Sequence, residues 1–351
     1  MKEILQQTKV FLGLEIACLL LALPGGSAVY GGGPYYRAET IFQPTLRYPE
    51  CHASSIVALP DGSLMAAWFN GSEEGGRDVV IRAARREPGK EIWERPFVIA
   101  DTPEASDGQP TLFLAPNRQV WLFYRSSYQR QMPPPKLMWK KSTDLGRTWS
   151  KAEILLDKMW ATRNRSIVLT NGDILVPLTR HEYASFCISA DSGRTWQECQ
   201  PLLTEPRSNE PTVIQRTDGS LLALMRPYDP DPARRLLWQS ESFDEGRNWG
   251  KPSRTALGNP SSSVQLLRLS GGPLLLVFND DCETRTNLSL ALSLDEGQTW
   301  IHKRLLEDSP GRFEYPALAQ DADGLIHVTY TFRRTHIKHV EVNEDWIRDR
   351  Q

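Results

Sequence analysis

The chain is short of several things that would point early to a class of function. Five cysteines in 351 residues are too few for a disulfide scaffold. There are six histidines, and no His, Asp or Cys spacing resembles a metal-binding motif, so neither a metal nor any other cofactor is expected. Excess charge of one sign is also lacking. Lys and Arg total 41 against 43 Asp and Glu, with no basic run, which argues against nucleic acid or an acidic membrane surface as partner. Only Val10 to Leu23 forms a long apolar stretch, and nothing after it is apolar enough to span a membrane. That stretch follows Lys2 and Lys9 and precedes Gly-Gly-Ser-Ala, the order of a secretory signal cleaved after Ala28. Glu15 interrupts it, so an uncleaved anchor or a misplaced start stays open. The expectation is an exported protein, periplasmic or secreted or held by an N-terminal anchor, with residues 1–28 as leader and 35–345 as one domain acting as a monomer.

What the chain does have is repetition. Ser142–Trp149, Ser189–Trp196, Ser242–Trp249 and Ser293–Trp300 all read Ser-x-Asp-x-Gly-x-(Thr/Asn)-Trp, with Trp-to-Trp steps of 47, 53 and 51 residues. A period of this size marks a propeller or a related repeat architecture, one repeat per blade. Within each run Asp accepts bonds from nearby backbone N–H groups, Gly supplies a positive φ, and Trp packs the hairpin onto its neighbour. A second repeat fixes the blade number. Turn pairs at Asp61-Gly62, Asn117-Arg118, Asn171-Gly172, Asp218-Gly219, Gly271-Gly272 and Asp323-Gly324 are each followed by an apolar strand. Six such hairpins predict an all-β, six-bladed propeller of four-stranded antiparallel blades. The last blade has three strands and a charged tail, so Arg37–Phe42 from the N-terminal side is expected to complete it and close the ring. Cys187 and Cys199 flank Gly193 symmetrically; a disulfide and two reduced thiols are both open readings, while Cys51 and Cys282 have no obvious partner.

Strand alternation puts both kinds of turn on one face of the ring. The starts of the inner strands and the loops after the second strands then surround a pocket on the other face, where functional residues are expected. His52, Gln109, Arg163, Glu210, Ser262 and Tyr315 stand at the inner-strand starts, and Asn70, Arg125, Arg180, Arg226, Asn279 and Thr331 at the second-strand ends. The following loops add Glu73, Glu74 and Asp78, then His181 and Glu182, then Arg285. Arg125, Arg163, Arg180, Arg226 and Arg285 thus gather toward one opening. Guanidinium forks bind carboxylate or phosphate, so an anionic ligand is inferred, although rim carboxylates could pair with the same arginines.

The Ser-x-Asp-x-Gly-x-Thr-Trp runs are identified as Asp-boxes, or BNR repeats, and from about Pro49 to Val340 the chain resembles the sialidase (neuraminidase) superfamily. NEPTVIQRTDGSLLALMR is similar to the segment that holds the carboxylate partner of the nucleophile and one arginine of a triad, which implies Glu210 and Arg226 in those roles. TRTNLSLALSLDEGQTW resembles the segment of another triad arginine, implying Arg285, and in FEYPALAQDADGLIHVTY the nucleophilic tyrosine would be Tyr315. Two positions depart. CHASSIVALPDG stands where the first triad arginine is found, with His52 in its place, and the loop of the acid/base aspartate reads GSEEGGRD. Glu74 matches best there by spacing, with Asp78 or Glu73 as alternatives. The resemblance implies a sialidase-like glycoside hydrolase in which a neutral phenol attacks the anomeric carbon, a glutamate takes its proton and a second carboxyl group protonates the leaving oxygen.

Each residue also has an ordinary reading: Tyr315 as core, Glu210 as an ion-pair partner, Glu74 as a solvated loop acid. The expected activity is exo-cleavage of a terminal acidic sugar from a glycan. Sialic acid itself is disfavoured by His52, whose imidazole suits a hydroxyl and would couple binding to pH near 6–7. A carbohydrate-binding propeller without turnover remains open, as does a uronate-directed lyase using His52 and Tyr315.

Overall fold

The computed structural model describes residues 33–128 and 133–349; the expected leader, residues 1–28, lies outside them. Six four-stranded antiparallel sheets follow one another around a ring. Blade 1 runs β2 (Glu50–Ala58), β3 (Leu64–Gly71), β4 (Val80–Arg86) and β5 (Phe97–Ala100), and blade 2 runs β6 (Ala105–Leu114), β7 (Val120–Tyr128), β8 (Lys136–Ser142) and β9 (Glu153–Leu156). Blade 3 comprises β10 (Ile167–Val168) to β13 (Gln197–Glu198), blade 4 β14 (Ser208–Gln215) to β17 (Ser253–Gly258), and blade 5 β18 (Gln265–Arg268) to β21 (Ile301–Glu307). Blade 6 has β22 (Phe313–Gln320), β23 (Ile326–Phe332) and β24 (His336–Val342), and its outer strand is β1 (Tyr36–Phe42), paired antiparallel with β24. The ring therefore closes by the N-terminal strand, as expected. The charged tail is not loose: Asn343 caps a short helix, α1 (Glu344–Arg348), whose Trp346 stacks on Tyr36 at 5.1 Å.

The second strand of each blade lies between two sheets, so both of its faces are covered. This explains why β3 and β15 (Leu221–Pro227) are buried along their whole length rather than alternately. The Asp-boxes join blade to blade. In the first, Asp144 accepts from Ser142 Oγ, the Arg147 and Thr148 amides and Thr148 Oγ1. The other three repeat the pattern around Asp191, Asp244 and Asp295. Each box glycine has positive φ and touches the blade before it: a Cβ on Gly193 would lie 2.4 Å from Trp121, and one on Gly297 2.4 Å from Leu222. The box Trp follows suit, Trp249 stacking on Phe186 of blade 3 at 4.5 Å. The two cysteines flanking the blade-3 box are both free thiols, because the register sets Cys187 opposite Glu198 and leaves Cys199 bonded through its amide to the Phe186 carbonyl.

Candidate active site

Four of the six inner strands carry a bulge close to their start. The register slips at His52/Ser55, Gly108/Thr111, Asn209/Thr212 and Glu314/Ala317. The residues held there in the left-handed region are Ala53 (φ 56°), Gln109 (52°), Glu210 (49°) and Tyr315 (52°). None is glycine, so each conformation costs about 1–3 kcal/mol and survives only because the surrounding sheet imposes it. A bulge re-aims the side chain, and three of the four, Gln109, Glu210 and Tyr315, line one cavity of about 520 Å³. The blade-1 counterpart of Tyr315 and Glu210 is therefore Ala53, one residue beyond the expected His52.

The centre of the site is a hydrogen-bonded triangle. The Tyr315 hydroxyl donates to Glu210 Oε1 at 3.0 Å, and one Arg226 nitrogen reaches both Glu210 Oε1 (2.9 Å) and the Tyr315 oxygen (3.0 Å). Glu210 Oε2 is buried without a partner. Burial, and then the charge of Glu210, push the Tyr315 phenol above its ordinary range despite Arg226, so it is neutral at pH 7. His52 packs against the Tyr315 ring, centroids 4.3 Å apart, and is 2 % exposed. Burial lowers its pKa well below 6.5, and the charges of Arg334, Arg163, Arg285 and Arg226 act in the same direction. The expected titration near pH 6–7 is thus corrected: His52 is neutral across that window.

The five gathered arginines separate into two groups. Arg163 does not face the cavity. It lies behind Tyr315 with its guanidinium 4.9 Å from the ring and donates to the Ser54 and Pro316 carbonyls, a structural plug rather than the expected substrate contact. Burial takes its pKa down to about 10. Arg226 and Arg285 meet at Ser261, but each already holds an internal carboxylate, Glu210 for Arg226 and Glu314, at 2.5 Å, for Arg285. Arg125 and Arg180 line the cavity and form no ion pair among the described residues, although the charge of Glu74 acts on Arg125 across the small recess; Arg180 donates to the Tyr183 hydroxyl. The guanidiniums open to an anion are therefore these two, rather than the pair indicated by resemblance.

The loop carboxylates fare differently from one another. Asp78 accepts from the Ser72 amide and hydroxyl and so ties its own loop. Glu74 pairs with Arg334 at 2.5 Å and borders a small recess that shares Gln109 and Arg125 with the main cavity. Glu182 lines the main cavity itself, as do Asn209, Tyr228 and Met159. Sequence reasoning passed over Tyr228, whose ring covers Arg226 at 4.6 Å; its signal was an aromatic two residues after a second-strand arginine. A larger cavity of about 760 Å³ opens at the other end of the ring, among the inner-strand ends, and it holds no tyrosine–carboxylate pair.

A family model described as a BNR repeat-like domain matches residues 62–328. The chain belongs to this BNR repeat-like family. Solved structures agree on the propeller. A protein of unknown function from Dyadobacter fermentans superposes with a TM-score of 0.74 at 16 % identity, covering 88 % of this chain and 99 % of that one. A Hadza microbial sialidase gives 0.71 at 20 % identity over 84 % of this chain and 65 % of its own, and the Ruminococcus gnavus intramolecular trans-sialidase 0.72 at 15 % identity over 89 % and 98 %. At these identities the likeness is one of fold. No curated protein matches the BNR propeller in sequence.

Proposed function

We propose that this BNR propeller is an exo-acting glycoside hydrolase of sialidase-like type that removes a terminal acidic sugar from a glycan with retention of configuration. The observation that carries the reading is the Tyr315–Glu210–Arg226 triangle at the cavity wall. The Tyr315 oxygen attacks the anomeric carbon while its proton passes to Glu210, so no phenolate has to persist beside the carboxylate. Arg226 steadies the negative charge shared between them. A loop carboxyl group protonates the departing oxygen, and water then releases the sugar from Tyr315. Glu74 is the matched acid and Glu182 is the carboxyl group that lines the cavity directly.

Arg125 and Arg180 would take the acidic group of the sugar, because they are the cavity arginines not held in an ion pair. Glu314 on Arg285, together with His52 beside Tyr315, disfavours a carboxylate placed on the anomeric carbon itself, so a sialoside is expected to be a poor substrate and a uronate-like sugar a better one. The test is product analysis on a panel of aryl glycosides and acidic oligosaccharides, with Tyr315→Phe, Glu210→Gln, Glu74→Gln and Glu182→Gln in parallel. Release of a free acidic monosaccharide, lost in the first two variants, bears the reading out. An unsaturated product, or rapid sialoside cleavage, overturns it. The second reading is a propeller that binds glycans without turnover; Glu74 is engaged by Arg334 and does not line the main cavity, which speaks for it.

A further inference from the structure

On the far side of blade 6 from the cavity, one face of the sheet carries a compact polar cluster. In the β23/β24 ladder His327 is opposite Glu341, and in the β1/β24 ladder Glu39 is opposite His339. His339 and Glu341 are two apart on β24, so the strand period places all four on one face. His327 and His339 are fully enclosed and Glu341 nearly so. Nδ1 of His327 lies 3.1 Å from Nε2 of His339 and 3.5 Å from Oε2 of Glu341, and the three side chains offer ligand atoms all within 4.8 Å of one another. Ligand atoms at zinc-bond lengths of about 2.0–2.1 Å in a tetrahedron stand about 3.3 Å apart, which the two spacings from His327 bracket.

The outer nitrogens make the stronger argument. His327 Nε2 is 3.1 Å from Asp321 Oδ2, and His339 Nδ1 is 2.9 Å from Glu39 Oε1. Each imidazole thus turns one nitrogen to a carboxylate and the other inward, the arrangement in which a carboxylate fixes the tautomer of a metal-binding histidine. If both outer nitrogens carry hydrogen toward the carboxylates, two neutral imidazoles have none left for the inner contact, and two lone pairs face each other. Either one further proton or a bound cation between them removes that conflict, and a cation also uses both lone pairs and Glu341. Arg86 of blade 1 pairs with Glu341 Oε2, the oxygen that faces His327, and reaches Glu39 at 3.4 Å; Tyr35 donates to Glu341 Oε1, and Arg37 is 3.5 Å from Glu39. Against Asp321, Glu39 and Glu341 these two guanidiniums still leave the cluster net negative.

We propose that His327, His339 and Glu341 form a site for a divalent transition metal, with zinc the cation that two imidazoles and one carboxylate fit best. Glu39 belongs to the N-terminal strand, and Arg86 and Trp93, whose indole donates to Glu39, belong to blade 1. A metal here would lock the seam where the ring closes, a role independent of the glycosidase reading. The spacing matches no metal motif because His327 lies on β23 while His339 and Glu341 lie on β24, with the outer carboxylates on β1 and on the turn before β23.

The experiment strips the full chain with chelator, adds zinc, desalts and measures bound metal by atomic emission. Retention of about one zinc per chain is expected in the parent and less than about a tenth of that in His327→Gln and His339→Gln, because structural zinc sites need their full ligand set. Zinc at about a hundredfold excess over its Kd should raise the melting temperature of the parent by about 5 °C and leave the variants unmoved. Should the variants not fold, cobalt(II) titration of the parent decides: visible absorption typical of four-coordinate cobalt, displaced by zinc, supports the site. A parent that retains no zinc, variants that retain as much as the parent, or a featureless cobalt titration would overturn it.

Discussion

Replacing Asp144 by alanine should weaken the ring without touching the chemistry. The carboxylate accepts four hydrogen bonds, from Ser142 Oγ (2.7 Å), the amides of Arg147 (3.1 Å) and Thr148 (2.8 Å), and Thr148 Oγ1 (2.6 Å). Three of these donors are at the surface, where water replaces the carboxylate at little cost. Ser142 is different. It is 1 % exposed and its oxygen accepts from the Gly146 amide, so its own hydrogen is left without an acceptor. One stranded buried donor together with the lost turn bonds amounts to about 2 kcal/mol. In a domain of this size that is a melting point lower by about 4 °C. The same hydrogen bonds hold the Asp144 pKa down at about 2, below its ordinary 3.8. Its contribution is therefore present in full above pH 3.8 and is lost as the pH falls through about 2. Urea unfolding of parent and variant at pH 7 and at acid pH measures both effects, and the gap between the two proteins should narrow toward acid. A variant as stable as the parent at pH 7 would refute the structural reading of the box. So would a folded variant whose specific activity is reduced, since the box lies at the opposite end of the strands from Tyr315.

Gly193→Ala combines a positive φ of 85° with a Cβ 2.4 Å from Trp121, so it should cost about 3 kcal/mol by denaturant unfolding, whereas Gly172→Ala, with nothing within 4 Å of its Cβ, should lose only the backbone part. Arg180→Ala should raise KM for an acidic glycoside by about 10–100-fold with kcat little changed, the signature of a lost charge-assisted ground-state contact; an unchanged KM would move the acidic group elsewhere. His52, depressed far below 6.5, favours the folded state fully above pH 6.5, and that contribution falls away as acid protonates the unfolded chain. His52→Gln should therefore flatten the acid side of the stability profile below pH 6.5, and equal slopes in parent and variant would count against the burial argument.

The blade count and the Asp-box contacts were legible because each rests on turn chemistry repeated several times in one chain, and the ring closure because that count leaves the last blade one strand short. The site was legible only in part. Tyr315 and Glu210 share an offset of nine residues from the glycine of their hairpins, and the bulges turn that shared offset into a shared orientation. In blade 1 the same nine-residue offset, counted from Gly62, falls on Ala53, and the bulge there selects Ala53 and leaves His52 at the neighbouring position. Which arginines stay free was not legible at all. Glu314 precedes the tyrosine and reads as an ordinary strand acid, yet it occupies Arg285. Arg163 shares the offset of Tyr315 and Glu210 but extends behind the tyrosine to two backbone carbonyls. Pairing across blades decides both cases, and sequence order does not record it.

The central claim is that Tyr315 is the nucleophile, and the most direct test is to trap it. The parent protein is incubated with fluorinated activated glycosides of the acidic sugars it cleaves, chosen so that the glycosyl-enzyme forms faster than it hydrolyses. Intact mass and peptide sequencing then locate the adduct. The account predicts one sugar per chain attached to the Tyr315 oxygen, absent in Tyr315→Phe and slowed in Glu210→Gln. Turnover without any adduct, or a sugar carried by another residue, would contradict it.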